Sequence, residues 1–296
     1  MPFTGRERRR TALVLTSGLL VGLLLDNTAT ARAAWDELSR VLSLQGPPEA
    51  ASASVLSEHH TEQLDGMLPQ AQAELLLERA INHYTGATAE IESRIGSWHG
   101  RIEPRDAFEN LFRMAIDSDD LRVRAAAVEI DIVARKLEKS ADTIDRLEPV
   151  ARTGAQGPRA NALWDLGLLG SRDVEPARVA QILLWSVKDE NVNVRYWAVE
   201  GLAYLGTDET IQPLLDVFHD DDSSMIRERA ACGLAQSGML TREQRMKAVP
   251  RFIAFTSDGA LDEQTRSWAF QALRDITGQN LPHDSAAWQA WFDHRR

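Results

Sequence analysis

Residues 191–206 read NVNVRYWAVEGLAYLG. In an α-helix that advances about 100° per residue, the positions three, four and seven after Arg195 share a face with it. Ala198 at the third lets a neighbouring helix come close, and Leu202 at the seventh fills the space one turn on. Gly206 at the eleventh suits the left-handed turn that ends a helix. The same string returns around Arg159, Arg227 and Arg266, and in degenerate form around Arg124, at spacings of 35, 36, 32 and 39 residues. Alanine follows each arginine by three, at Ala127, Ala162, Ala198, Ala230 and Ala269. Leucine follows by seven at Leu166, Leu202, Leu234 and Leu273, with Asp131 the exception. Glycine closes the string at Gly170, Gly206, Gly238 and Gly278. Acidic and polar residues precede it at Asp119-Asp120, Asp189-Glu190-Asn191 and Asp221-Asp222-Ser223-Ser224, where they suit caps and the helix dipole. Partner helices are expected over residues 106–116, 143–150, 174–187, 210–218 and 241–255. A hairpin of this size cannot bury its own apolar side, so copies must stack.

The recurring string resembles HEAT repeats, in particular the short HEAT-like repeats of phycobilisome lyases. The resemblance rests on Asn191-Val192-Asn193-Val194-Arg195 with Ala198, Leu202 and Gly206, and on Met225-Ile226-Arg227 with Ala230, Leu234 and Gly238, within residues 105–278. It implies an all-α solenoid of about five HEAT-like helix hairpins. It also implies a ladder between adjacent repeats, in which an acidic residue meets the arginine, assigned to Arg124, Arg159, Asp189, Arg195, Asp221, Arg227 and Arg266. Pro158, Ile226 and Thr265 depart from the valine the family places before the arginine. Residues 57–104 are helical without the repeat and are expected to cap the array at its N-terminal end, as solenoids require. Residues 105–296 form the solenoid, which Trp288-x-x-Trp291 closes.

The chain opens differently. Residues 6–10 are Arg-Glu-Arg-Arg-Arg, residues 12–25 are apolar apart from Thr16 and Ser17, and Ala31-Arg32-Ala33 offers small residues for cleavage. Basic region, short apolar core and Ala-x-Ala site make a secretory signal, with an uncleaved anchor over residues 11–25 as the alternative. The expectation is an exported protein, periplasmic or extracellular, with residues 1–33 as signal or anchor and 34–56 as a spacer. Membrane attachment is expected through this N-terminus alone.

Composition narrows the functional classes. The net charge is −11, and the first 33 residues hold five arginines against Glu7 and Asp26, so the remainder is more acidic still. With no basic block after residue 33, nucleic acid is not an expected partner. A single cysteine, Cys232, excludes an internal disulfide and a CxxC site. His59-His60 between Glu58 and Glu62 is the best metal candidate, but a second cluster at ligand spacing is missing. His219 before Asp220-Asp221-Asp222 lacks the alternation of an EF-hand loop. The chain contains no His-Glu dipeptide, which sets it apart from HEAT-like hydroxylases, and no phosphate-binding or nucleophile-elbow string. No catalytic residue, metal ligand or cofactor is assigned. The alternative is a metal-dependent enzyme or enzyme subunit, lyase-like, on the same scaffold.

Recognition is expected on the second helix of each hairpin. With the arginine at 0°, the core positions centre at about −20°, and positions two, five and nine residues on fall on the opposite side. These are Trp197, Trp268, Trp164, Leu168 and Tyr204, flanked by Tyr196, with Glu200 and Arg229 as polar points. Aromatic residues away from a core mark recognition surfaces. They are expected to line a concave groove for a protein or peptide partner.

Overall fold

The computed structural model describes residues 55, 56 and 58–295, and the signal, anchor and most of the spacer lie outside them. The described chain is all-α, with one isolated bridge between Val55 and Thr85. Helices α1 (Glu58–Asp65), α2 (Pro69–Ile81) and α3 (Ala87–Arg94), with a 3-10 turn at Ile95–Trp98, precede the repeats. Five hairpins follow: α4 (Asp106–Ile116) with α5 (Leu121–Ala134), α6 (Ala141–Thr153) with α7 (Gln156–Gly170), α8 (Pro176–Ser186) with α9 (Val192–Leu205), and α10 (Asp208–Asp220) with α11 (Ser224–Ala235). The fifth pairs α12 (Arg242–Met246) and α13 (Val249–Phe255) with α14 (Glu263–Thr277), and α15 (Ser285–Asp293) ends the chain. The expected single helix over residues 241–255 is broken before Pro250, which lacks an N–H and sits in the first turn of α13, where none is needed.

The cap chemistry follows the sequence. Asp120, Asn191 and Asp262 accept from the backbone N–H of Arg122, Asn193 and Thr265 at 2.9, 2.9 and 2.8 Å. Gly206 and Gly278 end α9 and α14 at φ 63° and 70°. Gly170 does not end its helix in that way. It is the last residue of α7 and has no positive φ; a side chain there would meet Leu205 Cδ1 at 2.7 Å.

Helices pack as a solenoid, second helix on second helix in the order α7, α9, α11, α14, with the first helices alongside. The inner row is drawn together by glycine. A Cβ on Gly167 of α7 would lie 2.6 Å from the Cα of Gly201 in α9, and one on Gly233 of α11 would lie 2.8 Å from Ala203 Cβ. Only hydrogen at these positions permits so close an approach of backbones. The glycines thus hold α7, α9 and α11 in close backbone contact along the row of second helices. At the N-terminal end α2 and α3 pack on α4 and α5. There Trp98 is fully buried and donates to Gln72 Oε1 at 2.9 Å. At the other end Trp288 is fully buried and donates to the Pro282 carbonyl at 3.1 Å.

Candidate functional site

The arginines that mark each repeat do two things at once. Arg195 donates from Nε and Nη2 to both oxygens of Asp221 in the next loop, at 2.7 and 3.0 Å, and from Nη1 to the carbonyl of Asp189 in its own loop at 3.0 Å. Arg227 repeats this with Asp262 at 2.6 Å and the Asp221 carbonyl at 2.8 Å, and Arg159 pairs with Asp189. Asp189 and Asp221 also accept from the N–H two residues on, so each carboxylate orders its own loop while receiving the previous arginine. Hydrogen bonds and neighbouring cations hold Asp189 and Asp262 below the usual carboxylate range, against a desolvation cost that at Asp189 is the largest single influence.

Two expected rungs are different. Arg124 meets no acid in the following loop, which reads Thr153-Gly154-Ala155, and binds the carbonyls of Ser118 and Gly238 instead. Arg266, in the last hairpin, binds the carbonyls of Leu261 and Asp258. Asp262 is a rung that the motif did not reveal, because it stands four residues before Arg266, whereas Asp189 and Asp221 stand six before their arginines.

The residues expected to line an open groove divide. Trp164, Leu168, Tyr204 and Glu200 are buried, and the groove expectation is corrected for them. Trp164 packs edge-on against Phe112, Trp197 and Tyr204, with ring centroids at 6.1, 5.9 and 4.7 Å. The glycine contact between α7 and α9 closes over these side chains, so the side of α7 opposite its outer partner faces α9 rather than water. Tyr196, Trp197, Trp268 and Arg229 remain partly exposed.

Ionisable groups are buried behind this wall. Asp131, at the position where the repeat expects leucine, lies 2.8 Å from Arg135 Nε and accepts from Trp164 Nε1 at 3.3 Å. Asp165 stands 3.6 Å from Arg135 Nη1. Burial pushes its carboxyl up to about 6; Arg135 opposes that and Asp131 adds to it. Glu200, pushed up by burial, lies 2.7 Å from Arg229 Nε. The Tyr204 hydroxyl is buried without a hydrogen-bond partner, and burial raises its pKa.

A concavity of about 970 Å³ opens between the α4–α5 loop, the segment from Arg229 to Arg245, and the end of α14. Its wall includes Arg124, Arg229, Arg245, Asp117, Asp119 and Asp275. A smaller recess beside Trp268 shares Cys232, Gln236 and Asp275 with it. Gly238 shapes the wall. At φ 75° it brings the N–H of Met239 to the Ala203 carbonyl at 2.9 Å, and its own carbonyl accepts from Arg124 at 2.6 Å.

Residues 144–235 match the family model described as HEAT repeats. The match begins in α6 and ends with α11, and it supports a HEAT-repeat family for the chain. No curated protein matches the chain. Among the described residues no group of three or more His, Cys, Asp and Glu side chains is placed to hold a metal ion. Among them, too, no helix is long and apolar enough to cross a membrane. His59 and His60 belong to α1, but their side chains are outside the description.

Proposed function

We propose that the chain is an exported HEAT-repeat scaffold of the short phycobilisome-lyase-like type, which holds a protein partner against its inner row of helices. HEAT repeats suggest a helical scaffold or a protein-binding role. The observation that carries the reading is the strip left partly open on that row: Tyr196, Trp197, Arg229 and Trp268, beside the concavity. Aromatic and arginine side chains dominate the energetics of protein contacts, because they combine large apolar area with directed polar groups. The wall behind them is fixed by the glycine contacts and the ladder, so little ordering entropy is lost on binding. Export rests on the basic, apolar and Ala-x-Ala segments at the N-terminus.

Photo-crosslinkers at positions 197 and 268 of the full chain test this, with Trp185 of α8, half exposed on a first helix, as control. The expected result is one partner crosslinked from both inner positions. Its measured affinity falls tenfold or more in Trp197→Ala with Trp268→Ala, and is unchanged in Trp185→Ala. A partner whose affinity ignores both inner substitutions would exclude the inner row as the docking face.

A further inference from the structure

Most buried or half-buried arginines of this protein face a carboxylate: Arg135 faces Asp131, Arg159 faces Asp189, Arg195 faces Asp221, Arg227 faces Asp262 and Arg229 faces Glu200. Arg124 and Arg245 are more buried than any of these, at 4% and 7% exposed, and among the described residues neither forms an ion pair. Arg245 donates from Nε to the Leu240 carbonyl at 3.0 Å, and from Nη2 to the carbonyls of Gln236 and Ser237 at 3.1 and 3.0 Å. Arg124 uses Nε and Nη1 in the same way. These bonds order the loop after α11 and account for the positions of the two side chains. They leave Nη1 of Arg245 and Nη2 of Arg124 without a bond to any described residue, and they do not neutralise either charge.

Two guanidinium charges buried near one another carry a desolvation cost that neighbouring carbonyl dipoles and the unbonded carboxylates of Asp117 and Asp119 offset only in part. Arg245 is held down to about 10, first by burial and then by Arg124, and so stays charged at neutral pH. Both line the same concavity, whose volume suits a small ligand. Around them the wall is mixed. Asp120 is paired with Arg122, while Asp117, Asp119 and Asp275 add negative charge and Arg242 adds positive.

We infer that this concavity is an oxyanion-binding site, in which Arg124 and Arg245 receive the carboxylate or phosphate of a small ligand whose other end is cationic and faces Asp117, Asp119 and Asp275. The planar fork of a guanidinium matches both oxyanions. The acidic residues disfavour a bare polyanion and favour a zwitterion. The site stands whether or not the inner row also holds a protein.

The test is a titration of the full chain followed through the arginine Nε–H resonances, with 4-aminobutyrate for carboxylate, phosphoethanolamine for phosphate, and inorganic phosphate as the bare anion. The expected result is saturable movement of the Arg124 and Arg245 signals with at least one zwitterion, at one ligand per chain. Arg245→Lys, which keeps the charge and loses the fork, weakens it tenfold or more. Asp119→Asn narrows the preference for the zwitterion over inorganic phosphate. Saturation by 4-aminobutyrate alone assigns a carboxylate ligand, and by phosphoethanolamine alone a phosphate ligand. Unsaturated drift with all three, up to tens of millimolar at the weak end of specific affinity, overturns the site, and it does so on the unsubstituted protein, where folding is not in question.

Discussion

Asp165 is a half-buried carboxyl group next to the fully buried one of Asp131, with one arginine between them. Its pKa in the folded protein, about 6, stands above the ordinary value of an aspartate, so the folded state holds its proton more tightly than the unfolded chain does. The stabilisation from that proton is complete below the unfolded pKa and disappears as pH rises through the folded one, leaving a buried charge above about pH 6. Asp165→Asn removes this dependence. Relative to the unsubstituted protein, the variant is expected to gain about 3 kcal/mol between pH 3.5 and pH 7.5, read from urea unfolding at both. An equal offset at the two pH values would mean that the residue does not titrate in this window. Nothing in the spacing announced this site. Asp131 stands where the repeat calls for leucine and was visible as an exception, with Arg135 four residues on along the same helix, but Trp164 and Asp165 become its neighbours only when α7 is laid on α5. The arginines Arg159, Arg195 and Arg227 were legible because each bonds to its own loop, a few residues away in sequence, as well as to the next.

Among the helices, the decisive contact is between α7 and α9. An alanine in place of Gly167 would improve intrinsic helix propensity by about 1 kcal/mol. It would also set a methyl group 2.6 Å from the Cα and 2.7 Å from the carbonyl oxygen of Gly201, both backbone atoms with little room to retreat. Forcing the helices apart costs about 1–3 kcal/mol or more, so the clash prevails over propensity. Gly167→Ala is expected to lower the midpoint of urea unfolding and to raise the fluorescence response of Trp164 to a soluble quencher; a stabilised variant with Trp164 still shielded would contradict the packing. This contact also explains why the groove expectation reached too far. A helical projection treats a helix as a rod with one covered side, whereas α9 is covered by α7, by its outer partner α8 and by α11. Trp164, Leu168 and Tyr204 lie on sides that a single hairpin would leave open and that the next hairpin closes. The mid-helix glycines were in plain view, but their meaning depends on two of them meeting across 34 residues of chain.

Over the whole molecule, stability is local, because each hairpin touches mainly its neighbours. Trp288 is the last large side chain to be buried, with Trp291 edge-on to it at 5.8 Å between ring centroids. Truncating it to alanine is expected to cost about 3–5 kcal/mol at that end. In hydrogen exchange the loss of protection would be confined to α13–α15, with α7 and α9 still slow, and a uniform loss along the chain would show that the array unfolds as one unit. The bond from Arg124 to the Gly238 carbonyl, 114 residues away, is the exception to that neighbour-only plan. It fastens the first hairpin to the loop after the fourth, as a buckle fastens a strap. A tensile load passing between them would fall on this buckle before it could separate the second hairpin from the third, so that stretch of the array would resist extension up to a threshold and then yield, where an unfastened coil would lengthen smoothly from the start.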